Sequence, residues 1–92
     1  MRLSDKEISV IKSVVREFDP VAEVKLFGSR VDDAKKGGDI DLLIISDKIT
    51  FSDKISILIK IKGEIGEQKI DILIYDPHNT FHNLAYKEGV NL

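Results

Sequence analysis

The sequence predicts an α/β fold in which helices pack on a small β-sheet. One supporting observation is a segment of helical apolar period near the start of the chain, and a second is a series of strand-like runs that alternate with helical segments. A third is the composition: 42% of the 92 residues are apolar and 33% are charged, which is typical of a globular chain. At this length we expect a single domain over residues 1–92.

The first quarter of the chain predicts a helix followed by a strand. Residues 4–7, Ser-Asp-Lys-Glu, have the pattern of a capping box, and apolar side chains then recur at helical spacing. Asp-Pro at 19–20 ends this pattern, so we expect the helix over residues 5–18. Residues 22–26 alternate between apolar and charged side chains, which predicts a strand that Gly28 ends.

Two further strands and a closing helix follow. Polar residues 31–38 predict a short helix or loop, and residues 39–45 predict a second strand whose continuous apolar run indicates burial on both faces. Residues 69–75 alternate again and predict a third strand. The tail, residues 80–92, predicts a short helix that Gly89 ends.

The segment at residues 53–65 fits two patterns. Ile55, Leu58 and Ile59 have the spacing of one helical face, whereas isoleucine at every second position from 55 to 61 has the alternation of a strand. We prefer the helix, because glycines close the segment and a strand follows at once.

Charge and cysteine content narrow the classes of function. Fourteen Lys and Arg against sixteen Asp and Glu give a net charge of −2, whereas direct binding of nucleic acid needs a basic excess. The chain has no cysteine, which excludes a disulfide scaffold and thiol catalysis. No apolar run approaches the roughly 18 residues of a membrane span, and no signal-peptide pattern follows the start. We therefore expect a cytoplasmic protein that uses neither a membrane nor nucleic acid directly.

Three residues after the first strand suggest an anion-binding turn. Gly28 allows a close approach of backbone to ligand, and Ser29, if it begins a helix, directs an amide and a hydroxyl at an anion. Arg30 adds a positively charged fork that suits phosphate. Taken alone, however, the turn is more often a simple strand-to-helix connection with a serine cap, since short Gly-Ser turns are common.

Three aspartates at strand ends suggest a metal site. Asp39 and Asp41 share a face of the second strand, about 7 Å apart, and carboxylates are the ligands that Mg²⁺ prefers. The alternative is that Asp39 caps a turn and Asp41 lies at a solvated edge. Asp71 lies within an apolar strand, where a carboxylate is costly unless it is paired, metal-bound or turned outward. If the second and third strands are neighbours in register, the three side chains line one rim beside the turn, which suits two-metal phosphoryl chemistry.

These motifs resemble the minimal nucleotidyltransferase family of the DNA polymerase β superfamily. The resemblance rests on GSRVDDAKKGGDIDLLI at residues 28–44, with nine residues between the Gly-Ser pair and the Asp-x-Asp strand, and on KIDILIYD at residues 69–76. The Glu-Gly-Val sequence at residues 88–90 also resembles the family's close, although Asn-Leu follows where an aromatic residue is common. The resemblance implies a small mixed sheet with the polymerase β-like nucleotidyltransferase core.

The resemblance also implies roles for these residues. The turn at residues 28–30 would hold the terminal phosphates of ATP. Asp39 and Asp41 would bind two Mg²⁺ ions, and Asp71 would share one of them and help to take the proton from the attacking hydroxyl. The reaction would be transfer of a nucleotidyl group with release of pyrophosphate.

The small size suggests that the acceptor site is supplied by a partner. Minimal nucleotidyltransferases of this kind are typically prokaryotic and paired with a small helical HEPN-type RNase toxin, which implies a hetero-oligomer and an antitoxin that transfers AMP to a tyrosine of the toxin. Two alternatives stay open: a binding module that neutralises its partner by contact alone, and an enzyme acting on a small molecule such as an aminoglycoside. We interpret His78 and His82, and also Lys35 and Lys36, as solvated residues.

Overall fold

The structure, a computed structural model, describes residues 2–32, 34 and 38–92. In chain order, the elements of this part are α1 (Asp5–Phe18), β1 (Glu23–Phe27), a short 3-10 helix (Gly28–Val31), β2 (Ile40–Ile45), α2 (Phe51–Ile65), β3 (Ile70–Ile74), α3 (Thr80–Glu88) and β4 (Val90–Asn91). The order confirms the predicted α/β layout and adds a strand at the end. None of these helices combines the length and the apolar character that crossing a lipid bilayer requires.

Helix α1 begins and ends where the sequence predicts. The Ser4 hydroxyl accepts a hydrogen bond from the Glu7 N–H at 3.1 Å, and the Glu7 carboxylate accepts one from the Ser4 N–H at 2.9 Å. This reciprocal pair satisfies two backbone donors that a helix start otherwise leaves unbonded. One apolar face of the helix is buried through Ile11, Val14 and Val15.

The four strands form one mixed sheet in the order β3-β2-β1-β4. β1 pairs antiparallel with β2, and β2 pairs parallel with β3 through the α2 crossover. The β2–β3 register places Asp41 opposite Asp71. The neighbouring, in-register arrangement that the sequence analysis assumed for these strands is therefore present.

Strand β4 is the element that the sequence analysis missed. Val90 and Asn91 pair antiparallel with Leu26 and Lys25 of β1, and two residues are too few to show a strand period. Gly89 makes the pairing possible, because a Cβ there would lie 2.6 Å from the Ala85 carbonyl oxygen.

The segment at residues 53–65 is helical, as preferred, and Leu58 of the predicted face packs against the core, but the rest of the buried face differs from the predicted one. Ile57 and Ile61 are fully buried, whereas Ile55 and Ile59 are 48% and 66% exposed. Every second residue is apolar, so the pattern does not distinguish the inner pair from the outer pair. Packing against the sheet selects Ile57 and Ile61.

The main core lies on the face of the sheet that α1 and α2 cover. It consists of Ile11, Val14, Val15, Val24, Leu26, Ile40, Leu42, Ile44, Ile49, Ile57, Ile61, Ile70 and Ile72. Leu43 is also fully buried, but it points to the opposite face of the sheet. The burial of β2 on both faces is thus confirmed, and the residues of β2 between the core positions face the side on which the predicted site lies.

Candidate active site

The structure brings the three predicted aspartates together. Asp41 is the second residue of β2, and its partner across the parallel ladder is Asp71 of β3, so both side chains project from the face opposite the main core. Asp39 immediately precedes β2 and has the same orientation, two residues before Asp41. One carboxylate oxygen from each residue lies within 4.8 Å of the other two. The three carboxylates can therefore contact a common cation.

The carboxylates disfavour one another's negative charge. Burial raises the pKa of Asp41, and the charges of Asp71 and then Asp39 raise it further, against a lowering effect of Lys69. The Lys69 ammonium lies 3.3 Å from Asp39, but its side chain is 72% exposed, so water weakens its effect. A cation among the three oxygens would relieve this repulsion.

The predicted turn lies directly against these aspartates. Gly28 has φ +76°, and a Cβ at this position would collide with the Asp41 carboxylate. A second close approach joins Ser29 and Gly38. Gly38 has φ +90°, and a Cβ at this position would collide with the Ser29 hydroxyl. The two glycines thus bring the turn and the loop before β2 together. The requirement for Gly38 was not apparent from the sequence, since it depends on a contact across the fold.

The turn at residues 28–31 is too short to carry the dipole of a full helix. Anion binding at a helix start would require Ser29 to begin a helix, but the structure has a single 3-10 turn of four residues, Gly28–Val31. Its Ser29 carbonyl already accepts hydrogen bonds from the Asp32 N–H at 3.2 Å and from the Arg2 guanidinium at 2.9 Å. Any anion binding at this turn would therefore come from individual N–H and hydroxyl groups rather than from a helix dipole.

Arg30 braces the turn against three distant segments. Its guanidinium donates to the Gly38 carbonyl at 3.3 Å, to the Arg2 carbonyl at 2.9 Å and to the Gln68 side-chain oxygen at 3.3 Å. The Gln68 amide in turn donates to Glu7 at 2.7 Å. Three of the five guanidinium N–H groups are thus used within the protein. The contribution of Arg30 to phosphate binding stays a prediction, and sequence reasoning missed Arg2 and Gln68 because they lie far from the turn along the chain.

Two clefts meet at Asp41. One, of about 450 Å³, is lined by Gly28 and by α3 residues that include Leu84. The other, of about 430 Å³, is lined by Asp71 and its neighbours in β3. Phe27 and Phe81, whose rings meet edge to face with centroids 6.0 Å apart, line both clefts. The site therefore has a turn side and a β3 side.

The two histidines take no part in this site. His82 Nδ1 accepts a hydrogen bond from the Asp76 N–H at 3.0 Å, so its ring closes the turn before α3. His78 is exposed. Lys35 and Lys36 lie outside the described residues. The acidic triad and the glycine turn remain the chemical features of this face.

A family model described as Polymerase beta, Nucleotidyltransferase matches residues 9–92 of the chain. The match includes the glycine turn, the three aspartates and all four strands of the sheet. No curated protein matches the chain.

Proposed function

The chain belongs to the polymerase beta nucleotidyltransferase family, and on that premise we propose that it is a Mg²⁺-dependent enzyme that transfers AMP from ATP to a tyrosine of a partner protein. The observation that carries the proposal is the gathering of three carboxylates within 4.8 Å beside a glycine turn. A nucleotidyl transfer needs both parts, a site for cations and a surface for a triphosphate.

The donor set fits Mg²⁺. Asp39, Asp41 and Asp71 offer only carboxylate oxygens, and Mg²⁺ is usually held by one or two carboxylates together with substrate phosphates. Bound there, Mg²⁺ would neutralise charge that develops on the phosphoryl group during transfer.

The residues around the metal site divide the remaining work. Gly28 lets the turn lie directly against the Asp41 carboxylate, so a triphosphate held by the Ser29 hydroxyl and the N–H groups of the turn would lie beside the cations. Asp71, on the other side of Asp41, would accept the proton from the attacking hydroxyl. A bond then forms between the acceptor oxygen and the α-phosphorus, and pyrophosphate leaves with the electron pair of the broken bond. Positioning and charge neutralisation supply most of the rate in such a step.

We further propose that the partner is a small helical HEPN-type RNase toxin and that the chain is its antitoxin. The resemblance to minimal nucleotidyltransferases supports this partner, and the net charge of −2 suits a protein acceptor better than a nucleic acid. An AMP group on a tyrosine near the toxin's active site would block RNA cleavage through its bulk and negative charge.

A labelling experiment tests the proposal. The protein is mixed with labelled ATP, Mg²⁺ and the candidate helical partner, and the mass of each protein is measured. We expect an increase of one or more AMP groups on the partner, lost with Asp41→Asn and kept with Asp47→Asn, an exposed carboxylate outside the site. Binding without label would favour a non-catalytic module, and label found only on small hydroxyl compounds would favour a small-molecule enzyme.

A further inference from the structure

Strand β3 forms an open edge of the sheet. In the described part of the chain, β3 (Ile70–Ile74) pairs with β2 alone. The Lys69 carbonyl and the Tyr75 N–H, which flank the strand, both bond to β2 at 3.0 and 2.8 Å. Backbone groups of a paired strand alternate in direction, so the even-numbered residues between them turn their N–H and C=O groups away from β2. These groups form a row along the outer edge.

The cleft of about 430 Å³ beside Asp71, here called the β3 cleft, follows this row of outward backbone groups. It is lined by four successive residues of the strand, Ile70–Leu73, whose side chains point alternately to the two faces of the sheet. Lys54 and Leu58 of α2 border it on the face of the main core, and Phe27 and Phe81 border it on the face of the aspartates. The β3 cleft therefore lies along the outer backbone edge of β3 and has walls from both faces of the sheet.

We propose that this edge is the acceptor site, and that it takes an extended polypeptide segment that pairs with β3 and presents a tyrosine hydroxyl to Asp71. This inference rests on the proposed function. A row of alternating N–H and C=O groups is matched by another extended backbone, which satisfies donors and acceptors together. β3 also lacks the lysine and proline that commonly protect sheet edges from such pairing.

The alternation of the added strand determines which side chain reaches the metal site. A tyrosine pointing to the Asp71 face would enter between that carboxylate and Phe81, which is 57% exposed. Its two neighbours point to the opposite face, towards Leu58 and Lys54. The Lys54 ammonium lies 5.4 Å from the centre of the Phe51 ring, at the rim of the cleft. We therefore expect acidic or apolar residues beside the tyrosine.

The transfer step needs only the tyrosine, Asp71 and the triphosphate. The tyrosine O–H transfers its proton to Asp71, and the phenolic oxygen forms a bond to the α-phosphorus of the triphosphate. The bond from the α-phosphorus to the bridging oxygen breaks, and its electron pair leaves with pyrophosphate. No oxidant or reductant is required.

Two synthetic peptides test the strand pairing. The first is a short chain of alternating valine and threonine with one tyrosine between glutamates, and the second is the same peptide with N-methyl groups on the amides that flank the tyrosine. With the full chain, Mg²⁺ and ATP, we expect AMP on the first peptide and at least a tenfold lower rate on the second. We also expect the first peptide alone to slow hydrogen exchange of the Ile72 and Ile74 N–H groups. Equal rates with unchanged exchange would overturn the inference.

The outcomes separate the inference from the proposed function. If the chain binds Mg²⁺ and ATP but modifies neither peptide and shows no slowed exchange, the edge site is wrong and the nucleotidyltransferase site stands. If the chain does not bind ATP in the presence of Mg²⁺, the proposed function fails and the inference fails with it.

Charge reversal at the rim gives a second test. Lys54→Glu should lower transfer to the glutamate-flanked peptide by about tenfold and raise transfer to a lysine-flanked version, because the rim charge then repels the first and attracts the second. Lys6→Glu makes the same change on the exposed side of α1 and should affect neither peptide. Equal effects of the two substitutions would overturn the placement of the acceptor along this edge.

Discussion

At the scale of single residues, the electrostatic conflict of the site is concentrated in Asp41. Burial first, and then the charges of Asp71 and Asp39, raise its pKa above the unfolded value of 3.8. A raised carboxyl pKa means that the ionised form destabilises the fold at neutral pH, and that this loss disappears as the pH falls through the raised pKa. The same charge is what a cation needs. Stability and metal binding therefore oppose each other at this residue.

Asp41→Asn should raise the melting temperature of the metal-free protein by a few degrees at neutral pH, because it removes one of three repelling charges. The rise is small because the group is partly solvated. The advantage over the unsubstituted protein should shrink as the pH falls through the raised pKa and be gone below the unfolded value of 3.8, and AMP transfer should be lost. The melting temperatures of both proteins in EDTA, at neutral pH and below pH 3.8, measure this difference. A lower melting temperature with activity retained would mean that Asp41 is a structural cap.

Gly28→Ala should destabilise the fold by about 1–2 kcal/mol, because its backbone is left-handed and the new Cβ collides with Asp41. The displaced carboxylate should also weaken Mg²⁺ binding. Gly63→Ala is the matched control: its Cβ would meet nothing within 4 Å, and alanine in a helix should stabilise by about 0.5–1 kcal/mol. Urea denaturation and metal titration measure both. A neutral Gly28→Ala would contradict the close approach of the turn.

At the scale of elements, Arg30 holds the 3-10 turn to its neighbours. The acceptors of its guanidinium belong to the chain before α1, the loop before β2 and the loop before β3. Gln68, in the loop before β3, also donates a hydrogen bond to Glu7, which belongs to the capping box of α1. The start of a helix on one face is thus connected to the turn on the other.

Arg30→Lys should cost about 1–2 kcal/mol in the free energy of unfolding, because one ammonium cannot reproduce three donors in a planar fork. Arg16→Lys on the exposed side of α1 should change it by less than about 0.5 kcal/mol. Urea denaturation gives both values. Unchanged stability together with weakened ATP binding would show that Arg30 acts only on phosphate.

At the scale of the whole molecule, acid stability depends on carboxylates outside the site. Asp19 is 2% exposed and joins the end of α1 to the end of β2, where it accepts from the Ser46 hydroxyl at 2.6 Å and from the Val21 N–H at 3.1 Å. The Ser46 bond and then the Val21 bond lower the pKa of Asp19. Burial raises the pKa of Glu7, but hydrogen bonds from Ser4 and Gln68 lower it overall.

Because these pKa values lie below their unfolded values, the stabilisation is present above about pH 4 and is lost as the pH falls through the folded values. Asp19→Asn should therefore reduce stability at pH 7 and flatten the pH dependence below pH 4. Urea midpoints at pH 7, 4.5 and 3 measure this. A substituted protein that loses stability between pH 4.5 and 3 as steeply as the original would contradict the assignment.

The sequence predicted the elements whose signals are local. The capping box at Ser4 and Glu7 and the alternation of β1 depend on residues within a few positions of each other, so α1 and β1 were placed correctly. β4 was missed because Val90 and Asn91 form a strand only against Lys25 and Leu26. The buried isoleucines of α2 were misjudged, although Leu58 was placed correctly, because the isoleucines recur every two residues and packing alone distinguishes them.

The candidate site divides in the same way. The aspartates and the Gly-Ser turn were visible as residue types at strand ends, which is a property of the chain itself. Their meeting at one point, the bracing by Arg2, Arg30 and Gln68, and the open edge of β3 depend on strand order and register. The amino-acid sequence by itself determined which groups are available, because composition and local spacing are set along the chain. Only the tertiary structure decided which of them touch, because contacts between distant segments arise when the sheet is assembled.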